Sequence, residues 1–406
     1  MIGKAIKVLH VVGSIDPAKG GISEGIRNLT AYIYDFGFHC EVICIDDPNA
    51  DFLTIEHVPV HAVGPSKGAW QYSPGLKKWL FTNLQRFDVV IINGLWIHAC
   101  YLTWRLLKKK KKNGGSNSVD RPKLFVMPHG MLDPYFQRAS NRKIKAIRNW
   151  LYFHLFEKKM LNNADGVFFT SESERVLANR TFRAYSPRKE VNIGYGIFSP
   201  PAFNGAMTAA FYEACPEVVD REYLIFLGRI NSKKGVDMLV QSYLTIAGKW
   251  PLNGAQLPLL VIAGPGLETE FGKHMLTLAK SKPELSNLIV FPGMLSGDAK
   301  WGAFYNCSAF ILPSHQENFG IAVAEAMACG KPVLVSDQVN IMNEIKENAA
   351  GLIAPDTVEG TTRMIEQWLS MPAQQQIAVG KNAELVFAKH FDIKLSASRF
   401  IEAISH

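Results

Sequence analysis

The sequence predicts an α/β protein with two Rossmann-like, doubly wound parallel sheets, one in each half of the chain. Short apolar runs alternate with amphipathic helical runs throughout, which is typical of parallel strands joined by helices. Each half contains five such strand-like runs. The length of 406 residues also exceeds what one hydrophobic core normally holds, so two domains are expected.

The strand-like runs set the order of elements in each half. In the first half they are KAIKVLHVVG, HCEVICID, DVVIINGLW, KLFVMPHG and ADGVFFTS. In the second half they are EYLIFLGRI, LPLLVIAGPG, NLIVFPGM, CSAFILPS and KPVLVSD. Each run ends in glycine, small or polar residues, which predicts loops at the carboxyl ends of both sheets. Open α/β sheets bind their ligands at that edge.

A break in the alternation of strands and helices marks the domain boundary. The stretch GYGIFSPPAFNGAMTAAF contains Pro200, Pro201 and several small residues, which interrupt regular structure. The predicted domains are therefore residues 1–200 and 201–389. A cleft is expected between them, with the two sets of strand ends facing each other.

The net charge of +8 is distributed unevenly. Residues 1–200 contain 28 Lys and Arg against 16 Asp and Glu, whereas residues 201–406 contain 16 against 20. Two basic runs, Lys108–Lys112 and Arg138–Arg148, lie in the first half. They are interpreted either as solvated surface or as a region attracted to an anionic membrane or acceptor. No aromatic stacking pattern accompanies them, so nucleic acid is not an expected partner.

Other features point to a cytoplasmic protein. The six cysteines form no CxxC pair and have no histidine at zinc spacing, which favours free thiols in a reducing compartment. No apolar run reaches the roughly 18 residues of a membrane span. The opening MIGKAIKVLHVVG lacks a small-residue cleavage site and is interpreted as a strand rather than a signal peptide. Peripheral contact with the inner face of the plasma membrane rests on the basic runs alone.

A turn with two consecutive glycines follows the first predicted strand. In HVVGSIDPAKGGISEGIRNL the chain passes Gly20 and Gly21 and enters a helix near Ile22 or Ser23. The glycines let the backbone approach a ligand, and the helix start directs free N–H groups toward a phosphate or sugar oxygen. Gly-Gly turns also arise for purely steric reasons, so this turn does not define a site by itself.

One strand–helix loop of the second half contains two cations. In IFLGRINSKKGVDMLV, Arg229 follows the predicted strand and Lys234 precedes Gly235, where a helix begins. A guanidinium offers two parallel hydrogen bonds to phosphate oxygens, and an ammonium adds a movable point charge. Together the two cations could hold a diphosphate and stabilise it as it leaves, with no metal. The alternative is two surface cations, and Lys233 is the expected bystander.

Two glutamates flank a predicted helix start in SHQENFGIAVAEAMACGKPVLVS. Glu317 lies in the loop, and Glu325 lies a little over one turn inside an apolar helix. A buried carboxylate needs a partner, and a ribose diol would suit Glu325 because both hydroxyls can donate to it. The N–H groups from Phe319 to Ile321 point out of the helix start, and Gly320 allows a ligand to approach closely.

Together these motifs resemble the retaining nucleotide-sugar glycosyltransferases of family 4, which have the GT-B fold of two Rossmann-like domains. The matching elements are Gly20-Gly21, Arg229 with Lys234, and ENFGIAVAEAMACGKPV. The resemblance extends over nearly the whole chain. MPHGMLDPYF and LFEKKMLNNADGVFFTSESE are also similar to members that build bacterial surface or capsular polysaccharides.

The resemblance implies a role for each matching residue. Arg229 and Lys234 would bind the donor diphosphate, Glu325 would hold the ribose, and Glu317 would act at the transferred sugar. His129 would lie beside the reacting sugar; many members have arginine there, and the alternative is a histidine that holds its loop by hydrogen bonds. The other donor-binding residues would be Gly21, Met294 through its backbone, Asn318, Phe319, Gly320 and Ile321.

The resemblance also implies the reaction. A hexose-type sugar would move from a UDP-sugar, or secondly a GDP-sugar, to a hydroxyl of a glycan or lipid-linked saccharide, with retention and without metal or other cofactor. The sequence contains no Asp-x-Asp metal motif. The first domain, with a C-terminal helix from about residue 390 returning to it, would bind the acceptor, and the second would bind the donor. Front-face attack is favoured over a covalent intermediate, because Glu317 is the only candidate nucleophile and its neighbouring N–H groups suggest that it orients sugar hydroxyls instead.

Two other classes of protein stay open at this point. A nucleotide-sugar epimerase or hydrolase could use the same fold without an acceptor. A non-enzymatic sugar-binding protein would explain the cleft, but not a cationic pair opposite a buried glutamate. NAD-dependent oxidoreduction is disfavoured because the first turn lacks GxGxxG.

Overall fold

The computed structural model describes residues 5–113, 121–138, 143–250 and 256–405. The chain divides into two compact units, residues 1–196 with 393–406 (unit 1) and residues 197–392 (unit 2). The sequence had placed the boundary at 200–201 and the start of the returning segment at about 390. Most of the lysine run, from Lys109 on, and Arg142 lie outside the residues whose side chains are described.

Unit 1 is built on a parallel sheet of seven strands in the order β3-β2-β1-β4-β5-β6-β7. The order reverses between β1 and β4, which makes this the switch point where open α/β sheets bind ligands. Its elements are β1 (Ile6–Val12), α1 (Gly21–Tyr34), β2 (Phe38–Cys44), β3 (Val60–Ala62), α2 (Pro74–Asn83), β4 (Val89–Asn93), α3 (His98–Asn113), β5 (Lys123–Met127), α4 (Tyr135–Arg138), α5 (Lys143–Tyr152), α6 (Lys158–Asn163), β6 (Gly166–Phe169), α7 (Glu172–Thr181) and β7 (Glu190–Asn192). A π-helical segment, Phe153–Glu157, joins α5 to α6.

Unit 2 is built on a parallel sheet of six strands in the order β10-β9-β8-β11-β12-β13, with its switch point between β8 and β11. Its elements are α8 (Gly205–Ala214), β8 (Tyr223–Leu227), α9 (Val236–Ala247), β9 (Leu259–Ala263), α10 (Glu270–Ala279), β10 (Ile289–Gly293), α11 (Gly297–Asn306), β11 (Ala309–Leu312), α12 (Ile321–Ala328), β12 (Val333–Ser336), α13 (Met342–Glu347), β13 (Gly351–Ala354), α14 (Val358–Leu369) and α15 (Ala373–His390).

The predicted fold class is confirmed, but the predicted count of five strands in each half is wrong. The three missed strands, β3, β7 and β13, lie at sheet edges and have only half-buried side chains. β3 and β7 are three residues long and contain polar side chains, so they lack the continuous apolar run that marks a central strand. β13 is apolar, and its pairing with β12 is what makes it a strand.

The core of unit 1 fills both faces of its sheet. Along β1, Leu9 and Val11 belong to one buried apolar cluster and Val8 and Val12 to the other, as the alternation of side chains along a strand requires. The last helix, α16 (Ile393–Ser405), packs on the second face, where Phe400 meets Phe168 edge to face at 6.0 Å between ring centres. Within the described residues, no helix is both long and apolar enough to cross a membrane.

Candidate functional site

The predicted donor-site residues of unit 2 gather at the carboxyl edge of its sheet. β8 and β11 are direct neighbours at the switch point. Arg229 and Lys234 lie in the loop after β8, and Glu317 lies in the loop after β11. The topology thus brings together residues that are more than 80 positions apart in sequence, at the edge where α/β sheets bind ligands.

The loop after β8 is fixed by local backbone chemistry. A short 3-10 turn, Ser232–Lys234, is capped by the Asn231 side chain, which accepts a hydrogen bond from the Lys234 N–H at 3.2 Å. Gly235 then adopts φ +69°, and a Cβ built there would lie 2.0 Å from the Pro313 carbonyl oxygen. Only glycine allows this approach, so the loop stays against the end of β11.

Lys234 and Glu317 form an ion pair that removes most of both side chains from solvent. The Lys234 ammonium donates to Oε2 of Glu317, and the two side chains are 18% and 15% exposed. Burial alone would raise the pKa of Glu317, but Lys234, with Lys233 and Arg229 nearby, holds that pKa below its usual value. Glu317 is therefore an ionised hydrogen-bond acceptor at neutral pH.

Arg229 is exposed at the same edge. Among the described residues it makes no hydrogen bond or ion pair, yet it is close enough to Glu317 to lower the pKa of that carboxyl. A guanidinium that makes no hydrogen bond or ion pair with the described residues presents its fork to an anion from solvent.

The Glu317 loop is held on both sides by backbone hydrogen bonds. The Glu317 N–H donates to the Gln338 carbonyl at 3.0 Å, and the Asn340 N–H donates to the Glu317 carbonyl at 3.0 Å. The side chain of Asn340 also reaches Oδ1 of Asn318 at 3.4 Å. The loop after β12 thus positions the Glu317 carboxylate.

The start of α12 offers unpaired backbone donors beside Glu317. Gly320 caps the helix with φ +84°, and no side chain caps it. In the part of the chain that the structure describes, the N–H groups of Gly320, Ile321 and Ala322 donate no hydrogen bond. Phe319, by contrast, buries its ring against Phe391 at 5.3 Å between ring centres, so only its backbone can face a ligand. A helix start of this kind attracts oxygen anions.

Glu325 is buried in α12, as predicted from its apolar neighbours, but it already has a protein partner. Oε1 of Glu325 lies 2.6 Å from the ammonium of Lys300 on α11, which also lies over the Trp301 ring at 4.3 Å. Sequence reasoning missed Lys300, because its place in GDAKWG has no spacing relation to Glu325. The carboxylate is therefore oriented by a cation, and a ribose would have to share it.

Met294 follows β10 at the same edge of the sheet. Its side chain is 71% exposed, and the preceding Gly293 has φ +82°. The donor contact through the Met294 backbone stays a prediction.

Gly21 and His129 belong to unit 1. Gly20 has φ +94° and caps α1, whose first residue is Gly21, slightly earlier than predicted. The Gly21 carbonyl accepts a hydrogen bond from the Tyr195 hydroxyl, and a Cβ on Gly25 would collide with the same ring. The start of α1 is therefore held by the Tyr195 side chain.

His129 follows β5 with φ +52° and has its ring within unit 1. Nε2 lies 3.1 Å from Oδ1 of Asn93, and the Asn93 amide lies 3.3 Å from Nδ1 of His10. Burial first, and the neighbouring His10 second, lower the pKa of His129 to about 3. The imidazole is therefore neutral at physiological pH and is held by its hydrogen bond to Asn93. Its role beside the reacting sugar stays a prediction. Neutral imidazole can still donate or accept a hydrogen bond.

A pocket of about 360 Å³ opens at the switch point of unit 1. Asp46 organises it by accepting from the Ser14 hydroxyl at 2.6 Å, the Ile15 N–H at 2.8 Å and the Lys19 ammonium at 3.3 Å. The pocket lining includes Lys19, Gly20, Gln71 and Asn93. Among the described residues, no group of three or more His, Cys, Asp or Glu side chains is arranged to hold a metal ion.

Two family descriptions match the chain, and together they span most of it. The description "Glycosyl transferase 4-like domain" matches residues 20–196, and "Glycosyl transferases group 1" matches residues 213–386. These ranges contain every predicted site residue.

Two curated proteins illustrate the sequence similarity. An uncharacterised glycosyltransferase of Methanocaldococcus jannaschii is 29% identical over 361 residues, which is 74% of this chain and 88% of that protein. A D-inositol 3-phosphate glycosyltransferase of Salinispora arenicola is 23% identical over 203 residues, or 48% of this chain and 45% of that protein. The second match therefore covers less than half of the relative's length.

Solved structures show the same fold at low sequence identity. HepE of Anabaena, in complex with UDP and glucose, aligns with 98% of this chain and 99% of its own at a TM-score of 0.74 and 17% identity. WaaG, a glycosyltransferase involved in lipopolysaccharide biosynthesis, aligns over 98% and 99% at a TM-score of 0.69 and 14% identity. The fold, the two family matches and the similarity to named glycosyltransferases agree: the chain belongs to the group 1 glycosyltransferases of family 4, has the GT-B fold and is a glycosyltransferase.

Proposed function

We propose that the enzyme transfers a hexose-type sugar from a UDP-sugar, or secondly a GDP-sugar, to a hydroxyl of a glycan or lipid-linked saccharide, with retention and without a metal. The observation that carries this proposal is the concentration of unneutralised donors around Glu317. Arg229 has no protein partner among the described residues, and the N–H groups at the start of α12 are unpaired. Such donors can bind a diphosphate and stabilise its charge as it leaves.

The proposed chemistry is front-face attack. The bond from the anomeric carbon to the diphosphate oxygen breaks, the acceptor oxygen bonds to the same face, and the acceptor proton passes to the departing phosphate. Glu317 serves as an ionised acceptor of sugar hydroxyls, and Lys234, which forms an ion pair with it, also contacts the phosphate. Glu325 accepts the ribose hydroxyls while Lys300 holds it.

The names of similar proteins support the donor and the acceptor classes. HepE binds UDP-glucose in a solved complex, which supports UDP-sugars as the first choice of donor. Some relatives are named D-inositol 3-phosphate glycosyltransferases, and WaaG is a glycosyltransferase involved in lipopolysaccharide biosynthesis. We therefore propose a role in polysaccharide biosynthesis at the cytoplasmic side of the cell, with the acceptor bound by unit 1 and the donor by unit 2. The roles of Gly21, His129, Met294 and the Asn318–Ile321 backbone are part of this proposal.

A panel of nucleotide sugars tests the proposal. A ligand at about one hundred times its Kd stabilises the folded state by about 2.7 kcal/mol, so one UDP-sugar should raise Tm by several degrees. Incubating that sugar with and without candidate saccharide acceptors should then release UDP mainly with the acceptor, and NMR should show the donor's anomeric configuration in the product. Stabilisation by no nucleotide, or equal release without acceptor, would contradict the transfer.

A further inference from the structure

The helix α5 presents an apolar stripe on the surface of unit 1. Of the fifteen exposed large hydrophobic side chains in the described residues, five lie between positions 144 and 155. Four of them form what we call the α5 stripe: Ile144, Ile147 and Leu151 on α5 and Leu155 in the following π-helical segment, which are 85%, 64%, 48% and 64% exposed. Trp150, also exposed, lies at its edge. Scattered single residues would need no explanation, but a cluster of this density does.

The spacing of these residues is helical. At 100° per residue, Ile144, Ile147 and Leu151 fall within about 60° of arc on α5. The opposite side of the helix packs inward: Asn149 is buried, and so is Phe153 in the π-helical segment that follows. The stripe is thus the solvent-facing side of a helix whose opposite side is buried in unit 1.

Basic side chains flank the stripe on both sides. Lys143 lies about 40° beyond Ile147 around the helix, and Arg148 lies about 40° beyond Ile144. With Lys145, both are exposed, and none of the three takes part in an ion pair within the described ranges. The one carboxylate in residues 143–157, Glu157, is buried and accepts from the Trp96 N–H at 2.9 Å. No acidic group of this segment neutralises the cations.

We propose that the α5 stripe and its flanking cations dock unit 1 onto an anionic lipid bilayer. An interfacial helix buries its apolar face at the boundary between headgroups and acyl chains while its cations meet anionic headgroups. A protein partner would require acidic side chains at this density, whereas a bilayer supplies both the apolar layer and the negative charge. Trp150 at the edge of the stripe suits the headgroup level. This inference does not depend on which sugar is transferred.

Vesicle co-sedimentation with the full chain tests the proposal. Vesicles of phosphatidylcholine with roughly one third phosphatidylglycerol should bind the protein at least about tenfold more strongly than phosphatidylcholine alone, and high salt should remove most of that difference. Hydrogen exchange on the vesicles should show new protection in peptides covering residues 143–157. Equal binding to both vesicle types, or protection elsewhere only, would overturn the proposal.

Matched variants separate the stripe from general surface hydrophobicity. The double variant Ile144→Ser/Ile147→Ser should reduce vesicle binding about tenfold or more without changing net charge. Phe81→Ser removes a similarly exposed apolar side chain from α2 of the same unit and should bind as the wild type does. If the double variant bound vesicles as strongly as Phe81→Ser does, the proposal would be contradicted.

Two further readouts keep the result interpretable. Because all these residues are exposed, Tm and the Tm increase caused by UDP should be unchanged in the variants, so a failure of donor binding is distinguished from a failure of docking. Light scattering of the wild type without lipid should give a monomer. If the wild type were a dimer and the Ile144→Ser/Ile147→Ser variant a monomer, the stripe would contact a second copy instead. That result would also overturn the proposal.

Discussion

At the residue scale, the charge of Glu317 depends on one neighbouring lysine. The carboxylate is largely buried, and burial alone would raise its pKa and favour the protonated form. The Lys234 ammonium lowers that pKa instead. Sequence reasoning assigned Lys234 to the diphosphate and Glu317 to the sugar as separate tasks. The structure joins them into one unit, so a change in either one alters the other.

Lys234→Ala should make the free energy of unfolding fall as pH rises from about 4.5 toward neutrality. In the wild type the lowered pKa of Glu317 adds stability above the ordinary glutamate pKa of about 4.5, and that stability is lost as pH falls through the lower folded value. Without Lys234, burial raises this pKa, and the variant should lose about 3 kcal/mol relative to wild type as pH rises to 7. Urea unfolding from pH 4 to 7 measures this.

An exposed lysine of the same unit provides the control. The free energy of unfolding of Lys273→Ala, on α10, should stay within about 0.5 kcal/mol of the wild-type value at every pH. A constant difference between Lys234→Ala and wild type across this range would show that the ion pair does not set the charge of Glu317.

Glu325→Gln tests whether the buried glutamate of α12 holds a ribose. The wild type should bind UDP more tightly than 2′-deoxy-UDP, because the carboxylate accepts from the 2′ hydroxyl; a hydrogen bond to a charged group contributes about 1.5–3 kcal/mol. The variant should lose most of that preference. If both nucleotides weakened equally in a calorimetric titration, Glu325 would serve only to pair with Lys300.

At the element scale, the sequence predicted what local chemistry controls and missed what tertiary packing controls. The α12 start at Gly320 and the loop before Gly235 were predictable, because glycine, polar caps and apolar periodicity are read locally. The edge strand β13 was not. A Cβ at Gly351 would lie 1.9 Å from the Val333 carbonyl, so this glycine fits a neighbouring strand that the local sequence does not reveal. Lys300 escaped prediction for the same reason.

Gly320→Ala should damage both the fold and the site at the start of α12. A side chain at φ +84° is strained by about 1–2 kcal/mol, and its Cβ would lie 2.9 Å from Val323 and 3.3 Å from Glu317. We expect a loss of about 2 kcal/mol in urea unfolding together with weaker UDP binding.

Gly205→Ala is the matched control at another helix start. Gly205 begins α8, has open space around it and no positive φ, so the change should lie within about 0.5 kcal/mol of wild type. Equal stability of the two variants would show that the Gly320 backbone is not constrained.

At the scale of the whole molecule, the chain consists of two compact units, and unit 2 is continuous in sequence. Every proposed donor contact except Gly21 lies in it. A fragment of residues 197–392 should therefore fold cooperatively. Its Kd for UDP should lie within about tenfold of the Kd of the full chain. Far-ultraviolet circular dichroism measures the folding of the fragment, and calorimetric titration measures its affinity for UDP. A folded fragment that binds no nucleotide would show that the donor site depends on unit 1.

The most direct test of the donor site compares UDP with UMP, since the central claim is that unpaired donors around Glu317 bind a diphosphate. Calorimetric titration of the wild type should give at least about tenfold tighter binding of UDP than of UMP. Arg229→Ala should abolish that preference, whereas Arg363→Ala, an exposed arginine on α14, should retain it. A wild type that does not distinguish UDP from UMP, or an Arg229→Ala variant that still does, would contradict the claim.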